Sequence, residues 1–273
     1  EPAISPEVWE AALAAGAEVA DSEIDSGADL IIPGDIGVGN TTVVAAVYGT
    51  FTRTEPVKAI GRGSGINDNV WKVKAAAVRD AMFRVRGFRD DTERVCAELT
   101  APDFAFLVGL INRAAARRTP VLIGEAYPAT AAYVAERLAP GVKAWLIAGQ
   151  VTAEPAHVGW LEALDLKPVL ALDMKTGQGA GALAALPQLN LAAELAGEVL
   201  AGVHLSLVQS DSLLATPEGL QGVFGSDGFV GARMAGGGAT GWTDFRIHAD
   251  GFGRYVVSDH GLKPRQAGRL VQR

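Results

Sequence analysis

The chain has 273 residues, 49% of them hydrophobic and 20% charged, which is enough apolar material for a full core in one large domain or two small ones. Its formal net charge of -7 argues against a sequence-blind nucleic-acid binder, and the basic residues between Lys58 and Arg94 read as a solvated helix face. A single cysteine, Cys96, leaves no disulfide to form within the chain and fits a reducing, cytoplasmic setting.

No apolar run reaches the roughly 18–20 residues of a membrane span, and Glu1-Pro2-Ala3 opens no basic-then-apolar signal pattern. The lack of a starting methionine fits a fragment or a processed product.

Ser5-Pro6-Glu7 is a helix start: a capping hydroxyl, a proline at the first helical position, and an acid at the positive end of the dipole. Val8, Ala12, Ala15 and Val19 follow at helical spacing, and Gly27 is a stop. Leu30-Ile31-Ile32 is apolar at every residue, as a strand buried on both faces would be. A glycine-rich loop, 34–40, leads into a helix over 41–48.

A second glycine-rich loop, Gly61-Arg62-Gly63-Ser64-Gly65, precedes a helix capped by Asn67 or Asp68. Its apolar stripe is expected at Val70, Val73, Ala77, Ala81 and Val85, with Gly87 at its end. Helices are expected over 104–116, 129–138 and 155–164, and buried strands at 121–123, 144–148 and 168–172. A last helix opens at Gly177-Gln178-Gly179-Ala180-Gly181 and runs to about Ala201.

Short all-apolar strands alternating with helices predict an open, mainly parallel sheet with helices on both faces, a Rossmann-like three-layer α/β fold. Residues 202–273 break the rhythm. There, Phe245-Arg246-Ile247 and Arg254-Tyr255-Val256-Val257, flanking Asp250-Gly251, are candidates for a hairpin. The expected division is therefore 1–201 as an α/β domain and 202–273 as an extension.

Open parallel sheets bind ligands at the carboxyl ends of their strands, and free N–H groups at a helix start favour phosphate. The loop Gly34-Asp35-Ile36-Gly37-Val38-Gly39-Asn40-Thr41-Thr42 is of this kind, but it is neither a P-loop nor a dinucleotide fingerprint. The four histidines, His157, His204, His248 and His260, have no metal-ligand spacing, so neither metal nor cofactor is expected. Cys96 lies in a polar helical segment without a nearby histidine, which argues against a nucleophile. Trp71 and Trp160 read as packing residues.

The specific signal is the set of loops. Gly34 to Thr42, Gly61 to Asp68 with Lys74, Thr152-Ala153-Glu154-Pro155, and Met174-Lys175-Thr176-Gly177-Gln178-Gly179-Ala180-Gly181-Ala182 occur in one order. In that order and spacing, residues 27–201 resemble the nicotinate-nucleotide:dimethylbenzimidazole phosphoribosyltransferases of cobalamin lower-ligand synthesis.

The resemblance implies a reaction. Nicotinate mononucleotide is held by its 5'-phosphate, and a benzimidazole-type base displaces nicotinate at the anomeric carbon with inversion, giving alpha-ribazole 5'-phosphate. It also implies a homodimer with small-molecule substrates and no metal, redox cofactor, nucleic acid or membrane partner.

Carried over residue by residue, it assigns the nucleotide to Gly37, Gly39, Asn40, Thr41, Lys74, Thr152, Lys175 and Gly177, and the acceptor base to Ile36 and Thr176. The catalytic positions are Asp35 and Gln178. Gln178 stands at the family's catalytic glutamate, and an amide cannot act as a base at neutral pH. General-base catalysis is typically worth about 10²–10⁴ in rate. The leaving group is an activated pyridinium, so positioning alone supports some turnover, with Asp35 or water accepting the proton.

Lys175 replaces a usual arginine, keeping the charge but losing the planar fork. Ala101-Pro102 replaces a pair of glycines, and Gly124-Glu125 replaces an aspartate-glycine turn. A stretch that the family carries before this region has no counterpart here, and 202–273 does not match the family's ending. The alternative reading is a nucleotide-binding paralogue that has lost its base. A third is a fragment that folds only with its missing part.

Overall fold

Two unrelated helix starts show how local chemistry sets the frame. Ser5 accepts a hydrogen bond from the Val8 amide and caps α1 (Pro6–Asp25). Asn67 accepts from the amides of Asn69 and Val70 and caps α4 (Asp68–Val85). Each side chain satisfies donors that the first turn leaves orphaned. The computed structural model describes residues 2–207, 230–235, 242–249 and 255–259.

Between α1 and α4 lie α2 (Asn40–Thr52) and the single turn α3 (Pro56–Ala59). Then follow α5 (Thr92–Leu99), α6 (Pro102–Ala116), β1 (Val121–Ile123), α7 (Ala126–Leu138), β2 (Leu146–Ala148), α8 (Pro155–Ala163) and α9 (Ala180–Leu207). Three antiparallel strands follow, β3 (Val230–Ala235), β4 (Trp242–Ala249) and β5 (Tyr255–Asp259), in the order β3-β4-β5. The chain divides into two units, Glu1–Pro187 and Gln188–Arg273.

In the first unit β1 and β2 pair in parallel, Val121 opposite Leu146 and Ile123 opposite Ala148. The strands expected at 30–32 and 168–172 shrink to single parallel bridges, Ile31 to Val121 and Gln150 to Leu170. The strand expected at 144–148 begins only at Leu146, because Val142–Trp145 form a 3-10 turn. The result is a helix-rich α/β unit with a small parallel sheet. In the second unit, β4 pairs with β5 as a hairpin with Ala249 opposite Tyr255; its turn lies outside the described residues.

The core runs from Trp9 through Phe104, Ile111, Leu122 and Ile123 to Trp160. Trp160 stacks on Tyr133 at 4.0 Å and meets Tyr48 edge-on at 4.9 Å, so its predicted packing role holds. Cys96 is buried and its thiol is pushed up by desolvation, which leaves no reactive thiolate.

Two expected stripes are turned in part. On α1, Val8 and Val19 are exposed, while Trp9, Gly16 and Ala20 are buried. On α4, Val70, Val73 and Ala77 face solvent and Lys74 and Val78 point inward, whereas Ala81 and Val85 pack on the core as expected. Both helices are rich in alanine, which fits either face, so periodicity alone left the phase open.

α1 lies directly on α6. A side chain at Gly109 would come within 2.0 Å of the Leu13 carbonyl, and one at Gly16 within 2.0 Å of the Phe106 carbonyl. The helices can approach this closely only because both positions lack a Cβ. Asp21 then accepts from Arg113 and Arg117 along the same seam. We therefore expect Gly109→Ala to lower the unfolding free energy by about 1–3 kcal/mol, the range for overpacking a tight contact. Urea denaturation followed by circular dichroism checks this.

Candidate active site

Four loops leave the small sheet on one side. The chain segment after Ile31 carries Asp35 and enters α2, and the segment after β1 carries Gly124 and Glu125. The segment after β2 carries Thr152 and Glu154 into α8, and residues 173–179 lead into α9. With the Gly61–Ser64 turn they line one cleft of about 690 Å³.

Ten of the twelve residues expected at the site line it: Asp35, Gly37, Gly39, Asn40, Thr41, Thr152, Lys175, Thr176, Gly177 and Gln178. Ile36 does not; its side chain is 90% exposed, outside the lining. Lys74 does not line the cleft either. It is buried behind the wall, where its ammonium donates to Thr41 Oγ1 at 2.9 Å and to the Gly61 carbonyl at 3.2 Å, and stands 3.8 Å from Glu154. Desolvation pushes its pKa down, and Glu154 opposes that shift.

Glu154 also accepts from the Gly63 amide at 2.6 Å, so the pair fixes the Gly61–Gly65 turn to the start of α8. At the start of α2, Gly39 sits in the left-handed region and no side chain caps the first turn. The amides there face a cleft, which is the arrangement that favours an anion.

Thr152 is held from behind by His157. Its amide donates to His157 Nδ1 at 3.1 Å, and its hydroxyl lies 2.9 Å from the same nitrogen. With Nδ1 acting as acceptor, the ring proton sits on Nε2, which is buried and has no hydrogen-bond partner. Burial pushes the His157 pKa down to about 4.

Two carboxylates of the cleft, Asp35 and Glu125, form no ion pair with a described residue. Asp35 accepts a short hydrogen bond from the Asn40 amide, and its other oxygen is buried without a partner. Burial raises its pKa and the Asn40 bond opposes the rise. Glu125 Oε1 accepts from the Gly181 amide at 2.6 Å, and Oε2 is buried without a partner. Burial pushes its pKa up to about 7, with the Gly181 bond working against the rise and the charge of Asp35 adding to it.

Glu125, Tyr127 and Glu154 went unassigned from sequence. Glu125 carried a legible signal: it follows a buried strand by two residues, at the carboxyl end where ligands bind. Among the described residues no three His, Cys, Asp or Glu side chains converge as a metal site requires. No described helix is long and apolar enough to cross a membrane.

A family model described as a phosphoribosyltransferase matches residues 1–202. The chain belongs to this phosphoribosyltransferase family. A second family model, described only as a protein of unknown function, matches residues 167–273 and so overlaps the first across the start of α9.

The nicotinate-nucleotide–dimethylbenzimidazole phosphoribosyltransferase of Corynebacterium glutamicum strain R is 48% identical over 199 residues, covering 73% of this chain and 56% of that protein. The enzyme of the same name from Corynebacterium efficiens is 52% identical over 184 residues, 67% of this chain and 50% of that one. The crystal structure of CobT from Thermus thermophilus superposes with a TM-score of 0.67 at 35% identity, covering 70% of this chain and 57% of that chain. The chain thus spans about half the length of the curated relatives it matches.

The buried neutral His157 makes a pH prediction. The unfolded imidazole, with its ordinary value of 6.5, binds a proton that the folded one refuses until about pH 4. The unfolded state therefore binds more protons between those values, and stability falls as pH drops through that window. A His157→Gln variant lacks this term. The native chain should lose about 3 kcal/mol relative to the variant between pH 6.5 and 4, read by urea denaturation at each pH.

Proposed function

We propose that the chain carries the phosphoribosyl-transfer site of this family, moving the phosphoribosyl group of nicotinate mononucleotide to dimethylbenzimidazole or a related base. The observation that carries the reading is the convergence of the four loops on one cleft. In this reading the 5'-phosphate sits on the uncapped start of α2, at the amides of Gly37, Gly39, Asn40 and Thr41. Lys175 and Gly177 face it from across the cleft.

Thr152 contributes less as a donor than expected, because His157 takes its hydroxyl proton. Lys74 acts from behind: by holding Thr41 and Gly61 it presets the two turns rather than touching the phosphate. Thr176 and the wall near Tyr127 are the places for the acceptor ring.

The chemistry asks little beyond position. The incoming ring nitrogen attacks the anomeric carbon from the face opposite nicotinate. The glycosidic bond breaks with its electron pair going to the pyridinium nitrogen, which becomes the neutral ring nitrogen of the departing nicotinate. Holding both rings on opposite faces of the ribose supplies the orientation term.

The parallel pair with a bridge on either side supports the core of an open sheet covered by helices, of which this chain carries part. We assign residues 1–201 to the transferase part and 202–273 to an extension. The family resemblance supports a homodimer, and the single cysteine a reducing, cytoplasmic setting. The alternative of a base-less binding paralogue gains no support from the names of the relatives.

Incubating the chain with nicotinate mononucleotide and dimethylbenzimidazole should yield alpha-ribazole 5'-phosphate by mass spectrometry. Lys175→Ala should raise the KM for the nucleotide by about tenfold or more, the scale of one charge-assisted hydrogen bond. No product at high enzyme concentration overturns the reading.

A further inference from the structure

Resting on that reading, we propose that Glu125 is the catalytic carboxylate of this chain: it takes the ring N–H proton of the attacking base in place of Gln178, whose amide cannot. Glu125 is part of the cleft lining together with Asp35 and residues 173–178. It reaches the turn that bears Gln178 from the opposite strand end, because Oε1 accepts from the Gly181 amide three residues further on.

This bond at the start of α9 orients the carboxylate and leaves Oε2 buried without a partner. A fixed carboxylate on the cleft wall, with one unpartnered and desolvated oxygen, has a lone pair to spare for a proton. Gln178 lies at positive φ in the same turn and is exposed on the cleft side. Its amide oxygen can accept a hydrogen bond from the ring N–H but cannot keep the proton.

The step balances. One ring nitrogen gives its lone pair to the anomeric carbon, and the carbon–nicotinate bond breaks, leaving the pair on nicotinate. Positive charge then develops on the attacking ring and acidifies its other N–H. That proton passes to Glu125 Oε2, and the neutral carboxylic acid later returns it to solvent.

Asp35 is the rival acceptor, and the environment favours Glu125. Each has one oxygen engaged and the other buried without a partner, Asp35 by the Asn40 side chain and Glu125 by the Gly181 amide, so hydrogen bonding does not separate them. Glu125 is the more strongly desolvated and sits near neutrality, where a base is most effective. The groups that face it are Asp35 from the loop before α2, Tyr127 at the start of α7 with its partner Asp103 at the start of α6, and the amides of Gly179 and Gly181. Lys175 is the cation on the same loop as Gln178 and is exposed. The charge of Asp35 holds the Glu125 proton affinity up, so Asp35 is a handle on Glu125.

The experiment is a pH profile of kcat at saturating base, so that protonation of the free base does not enter, for the native chain, Glu125→Gln and Asp35→Asn. The native profile should fall on the acid side with a midpoint near 7. Glu125→Gln can still accept from the Gly181 amide; it should melt cooperatively, lose about 10²–10⁴ in kcat and lose the acid limb. Asp35→Asn should keep the limb and move it to lower pH, since removing a neighbouring negative charge favours the ionised form.

A Glu125→Gln chain within about threefold of native kcat, far short of what losing a general base costs, overturns the proposal. So does a limb that survives Glu125→Gln but vanishes in Asp35→Asn. If Glu125→Gln does not fold, the native profile decides: a limb near 7 that shifts in Asp35→Asn supports it, and a flat profile across the neutral range overturns it. Absence of turnover in the native chain overturns the functional reading, and this proposal with it; the other adverse outcomes overturn this proposal alone.

Discussion

The site depends on how closely the first turn of α9 can approach the ends of the parallel segments. A Cβ at Gly34 would lie 2.6 Å from the backbone carbon of Gln178, and one at Gly124 would lie 2.1 Å from the Ala182 amide nitrogen. Backbone touches backbone at both places. The Glu125–Gly181 hydrogen bond closes the same seam from the side. This contact makes one cleft of loops that lie far apart in sequence, and it fixes Gln178, Glu125 and Asp35 on a shared wall. Loops with any side chain at those positions would stand apart and offer a phosphate only scattered amides.

A second consequence is electrostatic. Folding places the Lys74 charge behind the cleft and the Asp35 and Glu125 carboxylates on its wall. Lys74 is committed to Thr41, Gly61 and Glu154, so it rigidifies the turns instead of neutralising a ligand. Asp35 and Glu125 stand on the wall without an ion pair to a described residue, burial raises the proton affinity of both, and the charge of Asp35 adds to the rise at Glu125. Two desolvated carboxylates near a site that must accept a proton are costly for folding and suited to chemistry. Gln178, neutral in the turn between them and the solvent side, adds no third charge to that wall.

Much of this was legible from residues. The capping chemistry of Ser5 and Asn67, the buried runs at 121–123 and 146–148, and the loops around Asp35, Thr152 and Gln178 all announced themselves through local rules. What sequence could not give was phase and direction. Alanine-rich stretches on α1 and α4 fit the core on either side, so tertiary packing chose Trp9 and Val78 over Val8 and Val73. Lys74 looked like a ligand-facing cation because nothing local showed that Glu154, far along the chain, would claim it. Glu125 looked like a mere departure from a turn because its partner, the Gly181 amide, lies 56 residues on. The strands at 30–32 and 168–172 were read too long, since apolar runs report burial and not ladder length.

A crystal structure of the chain soaked with nicotinate mononucleotide tests the shared cleft most directly. The account predicts the phosphate on the amides at the start of α2, and the anomeric carbon turned toward the wall of Glu125 and Gln178. A nucleotide bound elsewhere, or α9 drawn away from Gly34 and Gly124 with the loops parted, would contradict it.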